Sequence, residues 1–113
     1  MSKVDYGTVE VEVGGETYVL SPTLDCIRKM KRWGLASPMA AIEACRGFDP
    51  ETLAIVIASA SGKGQKDLSQ IAEAVHNQGT VVVTPKVMDF LVSLLNPTGK
   101  EVGDSSGGES EGE

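Results

Sequence analysis

Histidine occurs once in this chain and cysteine twice, and aromatic residues make up only 4% of its 113 residues. Each shortage removes a class of chemistry. A zinc site needs several Cys, His or carboxylate ligands in register, and His76 stands on a predicted helix with none of them at ligand spacing. No metal and no cofactor is expected. Cys26 and Cys45 fall in different predicted helices and need not be close, so they read as buried thiols of a reducing compartment rather than a structural disulfide. Neither lies on an exposed turn or beside an activating group, which argues against Cys–His nucleophilic catalysis. No catalytic residue is assigned, and the chain reads as a non-enzyme.

Long apolar runs are missing too. No stretch approaches the roughly 18 residues a membrane span needs, and the opening "MSKVDYG" has no apolar signal region. The expectation is a protein that stays in the cytoplasm where it is made. Positive charge is also short, with 10 Lys+Arg against 16 Asp+Glu for a net of −6. A dedicated nucleic-acid binder is usually basic. Much of the acid lies beyond Thr98, where Glu101, Asp104, Glu109, Glu111 and Glu113 face only Lys100, a net of −4 that leaves −2 for the rest. That Gly/Ser/Glu segment cannot bury enough apolar surface to offset ordering entropy, so residues 98–113 are read as a disordered acidic tail.

What remains is one domain over residues 1–97, with 41% apolar residues and a thin aliphatic core that a partner or a second copy could complete. Its first unit is "TVEVEVGGETYVL". Val9, Val11 and Val13 alternate with Thr8, Glu10 and Glu12 at the period of a half-buried strand. Gly14-Gly15 then makes a two-residue turn, where positive φ carries no steric penalty. Closing it pairs Val13 with Glu16, Val11 with Tyr18 and Val9 with Leu20, which sets the three valines, Tyr18 and Leu20 on one face. Glu10, Glu12, Thr17 and Val19 take the other, where the carboxylates form a solvated face that guards a strand edge.

Four helix starts share a pattern of capping residue then proline, at Ser21-Pro22, Ser37-Pro38, Asp49-Pro50 and Thr84-Pro85. They predict helices over about 22–33, 38–46, 50–61 and 85–95. A further helix over about 67–78 follows from Leu68, Ile71, Ala72 and Val75, with Asp67 as its cap. "LAIVIASA" within the third is the expected central core helix. The run "TVVVT", Thr80 to Thr84, is either a third strand or an extended connector. The fold class is therefore α+β: an N-terminal hairpin over about residues 8–20, packed on a small bundle of about four to five short helices.

Two stretches invite a chemical reading. "ASGKGQK" resembles a phosphate loop in composition, but Ile57 occupies the required first glycine and Gly64 the metal-binding Ser or Thr, so it reads as a linker. "IRKMKRWG" gathers Arg28, Lys29, Lys31 and Arg32 beside Trp33, the only tryptophan. Leu24, Ile27 and Met30 are expected to face the core. The cations then occupy the last turn, where the helix dipole favours them by about 0.3–1 kcal/mol each. Their bland reading is a solvated helix end; their functional one is a protein-partner surface made of Arg28, Lys29, Lys31, Arg32 and Trp33, with nucleic acid the minority alternative.

The segment "VEVGGETYVLSPT" carries a resemblance. A strand, a "GG-x-x-Y-x-L" turn and strand, and a Thr-started helix leading into short helices and a charged tail resemble the small tail assembly chaperones of long-tailed phages and the related gene-transfer-agent tail proteins, over about residues 7–96. The resemblance implies a non-enzymatic assembly factor that binds the tape-measure protein, keeps it soluble in the host cytoplasm and is absent from the mature particle. Further partners it implies are the tail-tube protein and further copies of the chain. The alternatives are a structural tail or adaptor component and a small nucleic-acid-binding regulator acting through the basic first helix.

Overall fold

Alternating valines and paired glycines form an antiparallel hairpin, β1 (Val9–Val13) and β2 (Glu16–Leu20), in the computed structural model, which describes residues 8–95. The expected acidic tail at 98–113 lies outside the described residues. The register is Val9 with Leu20, Val11 with Tyr18 and Val13 with Glu16, as the sequence pattern requires. Val11, Val13, Tyr18 and Leu20 are buried and Val9 packs against the core, while Glu10, Glu12, Thr17 and Val19 face outward.

A lone hairpin is marginal in water, and two contacts tie this one down. Val13 and Glu16 close the turn, so the Glu12 carbonyl and the Gly14 N–H point away from β2. The Gln78 amide satisfies both: its Nε2 donates to the Glu12 carbonyl at 2.7 Å, and its Oε1 accepts from the Gly14 N–H at 2.9 Å. One side chain thus substitutes for the peptide of a third strand. Gly14 is required there twice over, by its φ of 61° and because an added Cβ would lie 3.0 Å from that of Ala74.

The helices follow as α1 (Leu24–Arg32), α2 (Pro38–Cys45), α3 (Pro50–Ala60), a 3-10 turn (Gln65–Asp67), α4 (Leu68–Gln78) and α5 (Thr80–Leu94). This is the expected α+β arrangement. α3 is the centre: every residue from Val56 to Ala60 is buried, as are Leu53 and Ala54, and it packs on α1, α2, α4, α5 and β2. Ser37 and Asp49 cap α2 and α3, accepting from Ala40 N–H at 3.1 Å and Glu51 N–H at 3.2 Å, with Pro38 and Pro50 in the first turns.

Three expectations need correction. Helix α1 starts at Leu24 rather than Pro22, because Thr23 is the cap and its hydroxyl accepts from the Cys26 N–H at 3.1 Å. The Ser21 N–H is held elsewhere, on the Ala60 carbonyl at 3.0 Å. The core stripe of α1 is also shifted: Cys26 and Met30 are fully buried, Ile27 is half-buried, and Leu24 is 58% exposed. Asp67 does not cap α4 by its side chain; it reaches back to accept from the Gly64 N–H at 3.0 Å and so closes the 3-10 turn.

The largest difference concerns "TVVVT". It forms neither strand nor connector but the opening turns of α5, and Pro85 lies inside that helix instead of starting it. Val83, Thr84 and Val87 are buried on the same face as Phe90, Leu91 and Leu94. The apolar burial of those residues, at roughly 1.5–3 kcal/mol for each large side chain, outweighs both β-propensity and the proline. The Thr84 hydroxyl, which would have capped a helix at Pro85, donates to the Thr80 carbonyl at 2.7 Å.

Candidate functional site

The basic stretch singled out by its sequence ends α1. Arg28, Lys31 and Arg32 are exposed, and none of them pairs with a carboxylate among the described residues. Lys29 is half-buried and lies 3.8 Å from Asp25 one turn earlier. Trp33 is the C-cap residue, half-buried against the core. The chain then reverses at Gly34, whose φ of 113° lets the Leu35 N–H reach the Met30 carbonyl at 2.8 Å. Leu35 and Met30 are both buried, so this stop is anchored in the core. The five residues therefore form one helix end, with three exposed cations around a partly covered indole.

The glycine-rich linker is committed to structure. The Lys63 N–H bonds the Ala58 carbonyl at 3.0 Å, and the Gly64 N–H bonds Asp67. Lys63 Nζ lies 3.7 Å from Glu16 Oε2 and 5.9 Å from the centre of the Tyr18 ring. These groups, with Gln70 and Ile71, line a cavity of about 150 Å³. Its carboxylates oppose an anion. Burial pushes the Tyr18 phenol up from its ordinary range, and Glu16, which accepts its hydrogen bond at 3.3 Å, pushes it the same way. The phenol stays protonated at neutral pH, and the cluster joins the hairpin to the linker.

Two wider grooves carry the remaining polar candidates. His76 shares one, of about 280 Å³, with Pro50, Glu51, Ser69, Ala72 and Glu73. Glu10 and Glu12 share the other, of about 320 Å³, with Val11, Thr17 and Lys86 of α5. Among the described residues no three His, Cys, Asp or Glu side chains gather as metal ligands. Both thiols are buried: Cys26 contacts the Ser59 hydroxyl at 3.5 Å, and burial, aided by the charge of Asp49, raises Cys45 to about 11. Neither is a thiolate nucleophile near neutral pH.

The feature that sequence reading missed is the outer face of α5. Val81, Val92 and Leu95 are 67%, 58% and 51% exposed, Pro85 is exposed, and Met88 is half-buried. These five positions follow one another at intervals of four, three, four and three residues. At 100° per residue they occupy an arc of about 80° and a length of about 21 Å. No charge interrupts the stripe; Asp89 lies beside it, and Lys86 sits further round the helix, in the groove with Glu10 and Glu12. The signal was available in the spacing, but it emerges only when residues 80–95 are taken as one helix.

Pro85 adds a polar element to that stripe. It has no N–H to give to the carbonyl four residues earlier, so the Val81 carbonyl lacks its helical donor between two members of the apolar row. α5 packs inward on β1, α2, α3 and α4, and α1 packs on α3, so the stripe and the cationic end belong to separate helices. Such a row suits the apolar edge of another helix. No family model, curated protein or solved structure matches this chain.

Proposed function

We propose that the chain is a tail assembly chaperone of long-tailed phages, a non-enzymatic factor that holds apolar helical segments of the tape-measure protein in solution while a tail is built. The observation that carries this reading is the uncharged stripe Val81, Pro85, Met88, Val92 and Leu95 on α5. Its two-turn periodicity matches the edge of an amphipathic helix, and a long helical client presents such edges repeatedly. The hairpin opening "VEVGGETYVLSPT" and its Thr23-capped helix add the family resemblance. Arg28, Lys31 and Arg32 provide a second contact, suited to an acidic part of the client.

Co-expression with the tape-measure protein is the test. The expected result is a soluble complex that Val92→Glu abolishes, with the isolated variant still folded because the side chain is mostly exposed. An insoluble client, or a complex indifferent to Val92→Glu, removes the basis of the reading. Stoichiometric amounts of the chain in purified particles would make it a structural tail component instead. The exposed cations of α1 support the nucleic-acid alternative, which requires salt-dependent binding weakened by alanine at Arg28, Lys31 and Arg32.

A further inference from the structure

We propose that the acidic segment of this chain that lies outside the described residues, Glu101 to Glu113, docks on the cationic end of α1 and shields it until an acidic partner displaces it. Arg28, Lys31 and Arg32 are exposed. Their spacing of three and one residues puts them on one side of the helix, within an arc of about 100° and a rise of about 6 Å. Elsewhere the cations are engaged: Lys29 lies by Asp25, Arg46 by Glu43 and Lys63 by Glu16, and Lys86 shares its groove with Glu10 and Glu12. Among the described residues the α1 end is the one group of three cations with no carboxylate at ion-pair distance.

Charge and length single out the occupant. Residues 98–113 carry Glu101, Asp104, Glu109, Glu111 and Glu113 against Lys100, a net of −4, while residues 1–97 hold only −2. Acidic runs of this kind act as interaction tails. From Leu95 to Glu109 and Glu113 the chain can span about 46–60 Å when extended, and the longest dimension of the molecule is 44 Å. For a Gly/Ser-rich linker the same span averages about 19–25 Å, a tether that holds the acids near α1 at millimolar effective concentration. Ion pairs that are individually weak are populated under that tether. The half negative charge of the helix end subtracts little from three cations. The α5 stripe takes no part, so the contact does not depend on the chaperone reading.

Amide NMR spectra of the isotope-labelled full chain test this. Trp33, the only tryptophan, supplies an indole N–H at the site. Exchanging the acids for amides, Glu101→Gln, Asp104→Asn, Glu109→Gln, Glu111→Gln and Glu113→Gln together, should shift the signals of Arg28 to Gly34 and of the indole while leaving those of Lys66 and Lys86 in place. The difference should fade toward 1 M salt, where charge acts over only about 3 Å, and should be the same at every protein concentration. No shift at low salt, shifts spread equally over Lys66 and Lys86, or shifts that grow with concentration because the segment reaches a neighbouring copy, overturn the proposal. A hexaglutamate peptide should bind the amide variant about two- to five-fold more tightly than wild type at low salt, since the site is then open in every molecule. Equal affinity overturns the shielding. A docked segment without client rescue would leave this inference standing and remove the chaperone reading, and client rescue with no shift at α1 would do the reverse.

Discussion

Replacing Pro85 with alanine should make the protein more stable, and the size of the gain follows from its place in α5. The residue is sixth in the helix, past the first turn where a missing N–H costs nothing. Alanine restores a hydrogen bond to the Val81 carbonyl, worth about 0.5–1.5 kcal/mol net. It also relieves the contact between the ring and that carbonyl, part of the roughly 3 kcal/mol that an interior proline costs a helix. Against this, the unfolded chain loses the stiffness of proline, which returns about 0.4–1 kcal/mol. The exposed site loses little packing. The net expectation is a gain of about 1–2 kcal/mol, and each kcal/mol raises Tm by about 4–8 °C in a domain of this size. Thermal unfolding followed by circular dichroism, with wild type and variant at one protein concentration, measures it. If Thr84 capped a helix that began at Pro85, the proline would occupy a favoured position and alanine would lower Tm or leave it unchanged. Either of those results would refute the continuous helix, and with it the stripe on which the proposed function stands.

Other perturbations address the remaining joints of the fold. Gln78→Ala removes both hydrogen bonds that hold the turn and should destabilise by about 1–2 kcal/mol in urea unfolding, with hydrogen exchange accelerating first in β1. Gly14→Ala should cost at least as much, since it adds left-handed strain to a close approach on Ala74, and doubling it with Ala74→Gly should recover only the contact. Raising pH should weaken the fold through Cys45. Its folded pKa lies above the ordinary value, so the stability is fully present below the unfolded pKa near 9 and is lost as pH climbs toward about 11. That loss amounts to about 2–3 kcal/mol. Denaturant midpoints on either side of this window, with Cys45→Ala reducing the slope, check it; Cys26 and Tyr18, both also raised by burial, contribute in the same direction.

Local rules were enough for much of this chain. The alternation of Val9, Val11 and Val13 about Gly14-Gly15 determined the hairpin, its register and its buried face, because a two-residue turn permits no other pairing of those side chains. Ser37-Pro38 and Asp49-Pro50 located two helix starts, since a capping side chain and a proline act on the residues beside them. The cationic end of α1 was equally plain as composition. Two starts for α1 were legible, Ser21-Pro22 by the cap-and-proline pattern and Thr23 by the resemblance, and the choice between them fell to the Ser21 N–H, taken up by the end of α3.

Tertiary structure decided what local preference left balanced. Thr80 to Thr84 carries the β-branched composition of a strand and precedes a proline, yet Val83, Thr84 and Val87 are buried only if those residues join the helix that also buries Phe90, Leu91 and Leu94. Gln78 was an unremarked polar residue until the fold brought it to a hairpin more than sixty positions away. The α5 stripe combines both origins. Its spacing was written in the sequence from the start, but exposure is a property of what the rest of the chain leaves uncovered, and only the packed helix separates the row that stabilises the protein from the row left exposed.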